Sequence, residues 1–441
     1  MSGEARRSLG FWRSWSLVVG GTIGSAIFMM PAVMAPYGGI GLLSLAVATL
    51  GALSIAMMFG NLARRVTVTG GAYAYTRAGL GDFAGFLIAW GGWIGLWVSC
   101  TAIAIAFAAY LGAIAPVIGA SPVLTAAAGL SLIWTVVGIN VAGVRESGIV
   151  SLVTTILKLL PLVLIGCIGL LFVEAETLPV MHPGEGNALL VFASVFALTF
   201  WNFLGIESAT VPAEDTVNSG NTIARATVIG TLTVGLVYLL VNFVAFGVVP
   251  TQVLAASTSP LSDVGIYLIG GIGGVIVVVG ALVSTAGCIN TTLLAAGQMA
   301  MAAARDGLFP GLFARLSARH APAASYVLSG MLASVLLLLN FARGLVAAYT
   351  FILLIATLTT VIPYAFSAIS SLILQNRDPS ISRAHRLREG GVAAIAFGVC
   401  MWVIAASGFE TVYWGFLLLM AGLPVYVMVI RVKPAGDHRP D

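Results

Sequence analysis

The sequence predicts an all-α polytopic membrane protein, and three observations lead to this fold class. Hydrophobic residues make up 59% of the 441-residue chain and charged residues 8%, whereas soluble domains carry roughly 25% charged residues. Apolar segments long enough to cross a bilayer of about 30 Å recur along the whole chain. Basic residues concentrate in alternate loops between these segments, as they do when successive loops lie on opposite sides of a membrane.

Twelve apolar segments are predicted to span the membrane, and the first is expected to be a retained helix, not a cleaved signal. No linker or low-complexity stretch separates them, so residues 1–441 are expected to form a single membrane domain. With a cytoplasmic N-terminus, all 20 basic residues except Lys158 and Arg343 fall on the cytoplasmic side, which predicts that both termini are cytoplasmic. The predicted spans begin near Trp15, Ile40, Asp82, Pro122, Ile149, Ala188, Ala226, Val264, Ala323, Leu345, Gly391 and Thr411.

The first span contains a glycine-rich stretch at residues 20–26, with the sequence GGTIGSA. Glycine has a low helix propensity and lets the backbone turn or approach a ligand, so this span is a candidate broken helix. Gly20 and Gly24 also have the spacing that allows two membrane helices to pack closely. Both interpretations stay open from these residues alone.

The sixth span contains three residues that are unfavourable in a lipid-facing helix, Asn202, Gly205 and Glu207. Together they indicate backbone that lines a cavity. An unbroken helix from Ala188 would instead place Glu207 near the cytoplasmic surface, and Trp201 would be a packing residue. The sequence alone does not decide between these alternatives.

The two interrupted spans begin two consecutive sets of five spans, residues 15–173 and 188–371, and residues 391–431 hold the last two. An odd number of spans per set gives the second set the opposite orientation. This order predicts inverted repeats, with a substrate site where the two discontinuous helices meet.

Lys158 is the basic residue that falls inside a span. It lies ~14 Å from the predicted start of that span, close to the bilayer midplane. A charged amine is costly there, and its stem is short for reaching water from that depth. Lysine that can give up its charge is a suitable proton carrier, so Lys158 is a candidate proton-coupling residue, with a snorkelling anchor as the alternative.

Other function classes find little support in the sequence. The four histidines lie in loops or tails and the four cysteines lack metal-ligand spacing, so no metal, cofactor or catalytic cluster is predicted. The net charge of +4 follows from the loop asymmetry, and no nucleic-acid patch is expected. A channel is disfavoured because a midplane lysine and paired helix interruptions suit alternating access better than a continuous pore.

The chain resembles the amino acid, polyamine and organocation transporters (the APC superfamily), especially the arginine/agmatine antiporter branch. The resemblance runs nearly end to end and rests on five motifs in the same order. They are Gly24-Ser25-Ala26 followed by IFMMP, GGAYAY from Gly70, Trp201 to Glu207, Gly297-Gln298 with DGLFP from Asp306, and Pro363-Tyr364.

This resemblance implies a LeuT-like fold with two five-helix repeats, and it implies a set of site residues. The substrate carboxylate is expected at the backbone amides of Ile23, Gly24, Ser25 and Ala26, with help from the Ser25 hydroxyl, since helix N-termini bind anions. The substrate ammonium is expected at carbonyl groups near Thr22, Trp201 and Leu204. Trp201 is similar to the aromatic gate of the family, Glu207 and Tyr364 to gating positions beneath it, and Lys158 to a lysine in proton-coupled members that replaces a sodium ion.

Departures from the arginine/agmatine pattern concern the side-chain pocket. Gly92, Cys100 and Thr292 stand where that branch has an aromatic gate, an amide and a tryptophan. Loss of the tryptophan removes a cation-π contact with a guanidinium worth roughly 0.5 to 2 kcal/mol. The residues expected to line a small, weakly polar pocket are Gly95, Leu96, Cys100, Thr292 and Ala356.

The sequence therefore predicts an amino acid permease of a cytoplasmic (inner) membrane, coupled to protons, that takes a neutral or broad range of amino acids. Exchange of cationic amino acids or polyamines is the alternative, because Glu207 is compatible with a cationic substrate. The expected partners are the amino acid or amine substrate, protons and the lipid bilayer. A homodimer is compatible with the resemblance, since related transporters occur both as dimers and as monomers.

Overall fold

The structure is a computed structural model that describes residues 8–24, 26–181, 187–257, 259–341, 345–379 and 381–431. Within these residues it is a bundle of helices, and Leu9 pairs with Thr216 in an isolated β-bridge. Ser25, a predicted substrate ligand, lies outside the described residues. The helices are α1 (Phe11–Thr22), α2 (Ala26–Met34), α3 (Gly39–Arg65), α4 (Ala72–Leu80), α5 (Asp82–Ile114), α6 (Pro116–Gly119), α7 (Pro122–Ala142), α8 (Val144–Gly169), α9 (Ala188–Phe200), α10 (Ser219–Val248), α11 (Thr251–Ala256), α12 (Pro260–Ile269), α13 (Gly271–Arg305), α14 (Ala323–Phe341), α15 (Leu345–Arg377), α16 (Arg383–Ala406), α17 (Phe409–Met420) and α18 (Leu423–Arg431).

The predicted class, an all-α polytopic membrane protein, is confirmed. In the described ranges, ten helices are long and apolar enough to cross a bilayer, and the bent pair of α1 and α2 makes eleven. The helix predicted as the ninth span, α14, is apolar over residues 323–339 only and is shorter than the others. Length and composition thus support ten or eleven spans, and the predicted count of twelve also needs this shorter helix.

Several helices begin earlier than the apolar pattern predicts. α8 begins at Val144, where Ile149 was expected, and α10 begins at Ser219, where Ala226 was expected. Helical hydrogen bonding continues through the polar interface of a membrane, whereas a hydropathy pattern detects only the hydrocarbon part. The eighth span begins later than predicted, because the predicted start at Val264 lies in the separate helix α12. This helix ends at Ile269, and Gly270 with φ 73° separates it from α13.

Two hydrophobic clusters form the core. One surrounds α1, α3 and α10, and includes Phe59, Phe203 and Tyr238. The other surrounds α5, α13 and α14, and includes Trp93 and Tyr326. α1 packs against both α10 and α13, so its interruption lies where the two clusters meet.

One end of the bundle, which we call the arginine-rich end, carries Arg65, Arg77, Arg305 and Arg377 at or near helix termini. There α4 follows a two-glycine turn whose φ angles of 131° and 56° favour glycine. Tyr73 of α4 donates a hydrogen bond to Asp306 at 2.5 Å.

Ion pairs also join the loops at the arginine-rich end. Arg77 pairs with Asp306 at 2.9 Å and with Asp82 at 2.7 Å. Arg305 pairs with Glu214 at 3.2 Å, in the loop between α9 and α10. These contacts tie the segments after α3, α9 and α13 together at this end.

Candidate functional site

The first span is interrupted between α1 and α2. α1 ends at Thr22, Ile23 is extended with φ −77° and ψ 91°, and the axes of the two helical parts differ by 43°. Two consecutive glycines, Gly20 and Gly21, weaken the last turn of α1. The broken-helix interpretation of the glycine-rich stretch is therefore the one that the structure adopts.

Lys158 donates hydrogen bonds to carbonyl groups of this interruption. Its Nζ atom lies 2.8 Å from the Gly20 oxygen and also bonds the Ile23 oxygen. Lys158 is 0% exposed and stands fourteen residues after Val144 in the 26-residue helix α8. Within the described residues no carboxylate pairs with it. A snorkelling anchor would reach the surface, so the geometry excludes that alternative.

Three other side chains complete the hydrogen bonding of the interruption. Tyr238 of α10 donates to the Thr22 oxygen at 3.0 Å, and Cys288 of α13 donates to the Gly21 oxygen at 3.2 Å. Ser284 of α13 is within 3.0 Å of the Ile23 oxygen and 3.1 Å of the Gly24 oxygen. Backbone groups at membrane depth need such partners because lipid supplies none.

The sixth span is interrupted as well. α9 ends at Phe200, a single 3₁₀ turn follows at Trp201–Phe203, and Leu204 is extended with ψ 138°. Gly205 then has φ 100°, a conformation that side chains rarely adopt. The unbroken helix that would place Glu207 at the surface is therefore excluded.

The two interruptions touch each other through glycine. A Cβ atom on Gly205 would lie 2.8 Å from the Gly21 carbonyl oxygen, and one on Gly21 would lie 2.6 Å from the Ser208 hydroxyl. Only a residue without a side chain allows this approach. The close contact brings the C-terminal end of α1 against the segment after α9.

Glu207 and Tyr364 connect this segment to α15. The Tyr364 hydroxyl donates to the Glu207 carboxylate and accepts a hydrogen bond from the Gly205 amide at 3.1 Å. Glu207 is 7% exposed and Tyr364 is 0% exposed. A carboxylate this deep requires a hydrogen-bond partner, and Tyr364 supplies one.

A cavity of about 760 Å³, its open mouth included, lies between the interruptions and helices α5, α13 and α15. The predicted site residues that line it are Thr22, Gly24, Ala26, Leu96, Trp201, Leu204, Glu207, Thr292 and Ala356.

The remaining predicted residues that the structure describes do not line the cavity. The Ile23 amide donates to the Val19 oxygen at 2.9 Å. Gly24 does line the cavity, and its amide donates to the Thr22 oxygen at 3.0 Å. Cys100 is 1% exposed within the second core cluster. Gly95 faces α15, where a Cβ atom would lie 2.3 Å from the Thr359 hydroxyl.

Comparison with known proteins decides the family. Residues 9–430 match the model of a family described as amino acid permease. The chain belongs to this family. It is therefore an amino acid transporter of the membrane and not an enzyme.

Relatives of this permease carry transport names. An arginine/ornithine antiporter of Pseudomonas aeruginosa is 30% identical over 96% of this chain and 91% of its own length. An L-lysine transport protein of Corynebacterium glutamicum is 29% identical over 93% of this chain and 87% of its own length. An arginine/agmatine antiporter of Chlamydia felis is 27% identical over 96% of this chain and 90% of its own length.

Several cavity residues of the permease were not predicted from sequence. Ser99 and Ile103 follow Leu96 at helical spacings of three and seven, and Cys288 precedes Thr292 by four. Such spacings place residues on one face of a helix, so each predicted position could have indicated its neighbour. The unpredicted lining residues are Gly21, Ser99, Ala102, Ile103, Ser208, Cys288 and Thr360, whereas Gly205 was already expected in backbone that lines a cavity.

Charge is distributed unequally around the cavity. Glu207 supplies the only carboxyl group among the described lining residues. Lys158 does not line the cavity and lies on the other side of the α1–α2 interruption. The site thus has a carboxylate on its wall and an amine behind it, separated by backbone.

Proposed function

We propose that this permease is a secondary active transporter that moves amino acids across the cytoplasmic membrane by alternating access, with transport coupled to the protonation of Lys158. The observation that carries the proposal is the pair of hydrogen bonds from Lys158 to the carbonyl groups of Gly20 and Ile23. They join α8 to the interrupted helix that forms one wall of the cavity.

In this proposal the substrate binds through the carboxylate and ammonium groups that all amino acids share. Its carboxylate lies at the N-terminus of α2, where Ser25 and Ala26 supply amides and helix geometry favours an anion. Its ammonium lies at the opposing helix ends, near the carbonyl groups of Thr22, Trp201 and Leu204, where the helix dipole favours a cation. Trp201 covers the bound substrate, and Glu207 with Tyr364 closes the cavity beneath it.

The Ile23 and Gly24 amides donate within the chain in this conformation. We therefore assign the carboxylate to the two following residues first. When the hydrogen bond from the Gly24 amide to the Thr22 oxygen breaks, the Gly24 amide also binds the substrate carboxylate. This opening accompanies substrate binding and prepares the movement of α1.

Proton coupling follows from the strength of the Lys158 contacts. Hydrogen bonds from a charged amine are roughly twice as strong as those from a neutral one. Protonated Lys158 holds α1 against α8, and loss of the proton loosens that contact. The interrupted helix then moves relative to α8, which changes the side to which the cavity opens.

The arginine-rich end faces the cytoplasm in this proposal, because basic loop residues remain on that side during insertion. Both termini are then cytoplasmic. Residues 15–173 and 188–371 act as two inverted repeats of one transport domain, and the contact between Gly21 and Gly205 lies at their junction.

Exchange of cationic amino acids is the second candidate. Glu207 on the cavity wall favours it, because a carboxylate in a weakly polar site attracts a positive side chain. The names of the relatives, which refer to arginine, ornithine, lysine and agmatine, also favour it. In this case transport depends on a substrate on the opposite side.

Uptake into proteoliposomes tests both candidates. Labelled neutral and cationic amino acids and polyamines are offered with and without an inward proton gradient, and with and without internal counter-substrate. Lys158→Ala is compared with Thr154→Ala, since the Thr154 hydroxyl bonds only within α8. Uptake that follows the gradient and is lost in Lys158→Ala alone supports proton coupling.

Uptake that requires counter-substrate, ignores the gradient and survives Lys158→Ala makes the permease an exchanger and overturns the proton-coupled proposal. Glu207→Gln then separates the substrate classes. A loss confined to cationic substrates supports exchange of cationic amino acids, and an equal loss for all substrates assigns Glu207 to the gate.

A further inference from the structure

A second crevice opens at the arginine-rich end, between α3, α10 and α16. It has a volume of about 680 Å³ with its open mouth included, and it shares no lining residue with the substrate cavity. Its lining changes from basic to apolar along the helices. Arg64, His385 and Arg388 lie nearer the helix ends, whereas Met57 and Val392 lie deeper in the bundle.

The depth of the apolar part follows from helix geometry. Met57 precedes Arg64 by seven residues on α3, about 10 Å along the axis. Val392 follows Arg388 by four residues on α16, about 6 Å along the axis. Val228 of α10 completes the apolar part. The crevice therefore runs from a basic mouth at the membrane surface into the depth of the hydrocarbon.

The positive charges of Arg64 and Arg388 at the mouth are not compensated within the described part of the chain, although Glu389 also lines the crevice. Glu389 is 7% exposed and already pairs with Arg65, and with His385 at 3.1 Å. Arg64 has a weak contact with the Asn61 side-chain oxygen at 3.4 Å. No described carboxylate pairs with Arg64 or Arg388.

The tendency of basic residues to lie at the cytoplasmic ends of spans explains why arginines occur here. It does not explain a crevice that continues past them into an apolar floor. Met57 is 38% exposed, and Ile229 and Ile395 on the flanking helices are 41% and 60% exposed, so apolar surface surrounds the deep part. A free phosphate would use the arginines and leave this floor empty.

We propose that this crevice binds an anionic phospholipid, with the headgroup phosphate between Arg64 and Arg388 and an acyl chain along Met57, Val228 and Val392. Guanidinium groups bind phosphate oxygens through paired hydrogen bonds. Basic pockets between membrane helices are suited to anionic headgroups. The bound lipid joins α3, α10 and α16 at the arginine-rich end, next to the Arg65 to Glu389 ion pair.

Native mass spectrometry of the purified full-length protein tests this site, with phosphatidylglycerol or phosphatidylcholine added at equal concentration. The variant R64Q/R388Q is compared with R319Q/R383Q, which removes two exposed arginines outside the crevice. We expect phosphatidylglycerol retention to fall roughly fivefold to thirtyfold in R64Q/R388Q. Retention stays at the wild-type level in R319Q/R383Q, and phosphatidylcholine binds weakly to all three proteins.

Equal phosphatidylglycerol retention in the two double variants overturns the proposal. The proposal is also overturned if the wild-type protein binds phosphatidylcholine as strongly as phosphatidylglycerol. Inorganic phosphate at millimolar concentration distinguishes the two sources of a phosphate group. Displacement of the lipid by inorganic phosphate assigns the arginines to a free anion and overturns the lipid site.

If R64Q/R388Q does not fold, Val392→Ser tests the lipid site with both arginines retained. It is expected to weaken phosphatidylglycerol retention several-fold, because it places a hydroxyl in the apolar floor. Unchanged retention in this variant overturns the assignment of the acyl chain. These measurements do not depend on transport, so they can reject the lipid site without rejecting the proposed function, and the reverse.

Discussion

The Tyr364 hydroxyl group donates a hydrogen bond to the Glu207 carboxylate, which joins α15 to the interrupted sixth span. The same hydroxyl accepts the Gly205 amide at 3.1 Å. One phenol therefore satisfies two buried polar groups of the segment that lines the cavity. Its removal leaves both without this partner.

Tyr364→Phe is expected to lower the stability of the folded protein by about 1 to 3 kcal/mol, the usual cost of an unsatisfied buried group. Thermal unfolding of the purified protein measures this loss. Tyr413→Phe is the matched control, since Tyr413 is 49% exposed and keeps its ring contacts with Phe409 and Trp414 in the variant. An equal melting temperature for the two variants contradicts the role given to the hydroxyl.

Ser284→Ala is expected to weaken substrate binding roughly fivefold, the equivalent of about 1 kcal/mol for a hydrogen bond. Ser284 bonds the carbonyl groups of Ile23 and Gly24, so its loss lets the start of α2 shift. Thr285→Ala is the control, because the Thr285 hydroxyl bonds within α13. Equilibrium binding of the labelled substrate to the detergent-solubilised protein measures the affinity of each variant. Equal affinities in both variants argue against a positioning role for Ser284.

Gly205→Ala is expected to abolish transport. A Cβ atom at this position meets the Gly21 carbonyl at 2.8 Å, and φ 100° is itself strained for alanine. Gly398→Ala tests the same chemical change in open space within α16, where nothing lies within 4 Å of the added atom. Initial uptake rates, corrected for the amount of reconstituted protein, should separate the two. Normal uptake by Gly205→Ala is incompatible with direct contact between the interruptions.

Tyr73→Phe is expected to leave the shape of the pH profile of transport unchanged between about pH 6 and 9. Burial and the hydrogen bond to Asp306 raise the pKa of the Tyr73 hydroxyl above its usual value of 10.0. The contribution of a raised group is complete below the unfolded pKa and is lost only as the pH rises through the folded one. Tyr73 thus stays protonated through the measured range. A pH response that disappears in Tyr73→Phe contradicts this expectation.

Particular residues show how far the sequence could predict the site. The glycine-rich stretch and the group Asn202, Gly205 and Glu207 have compositions that are unfavourable in lipid, so both interruptions carry a local signal. Lys158 carries one as well, since charge inside a span is rare. These residues indicated candidate positions for the site, but from the residues alone the alternatives of a packing face, an unbroken helix and a snorkelling anchor stayed open.

The side chains that stabilise the interruption carry no such signal. Tyr238, Ser284 and Cys288 are ordinary membrane residues, and each acts through one or two contacts with backbone that is distant in the chain. Gly95 and Cys100 were expected in the pocket and lie against other helices, because the rotation of α5 depends on its packing with α13 and α15. Tertiary packing fixes such contacts, and no window of sequence contains them.

The ion pairs at the arginine-rich end are expected to make the permease sensitive to salt. The side chains of Arg77, Asp306, Arg305 and Glu214 are 34% to 50% exposed, and pairs this accessible weaken as ions screen them over roughly 8 to 10 Å. In the proposed orientation, with this end in the cytoplasm, rising internal salinity is expected to weaken these contacts and to lengthen the time the cavity is open to that compartment. Alkylation of Cys288 by a thiol reagent from that side should accelerate with salt, and a constant rate would refute the link. A cell that loses water would thereby change the resting conformation of its own transporter.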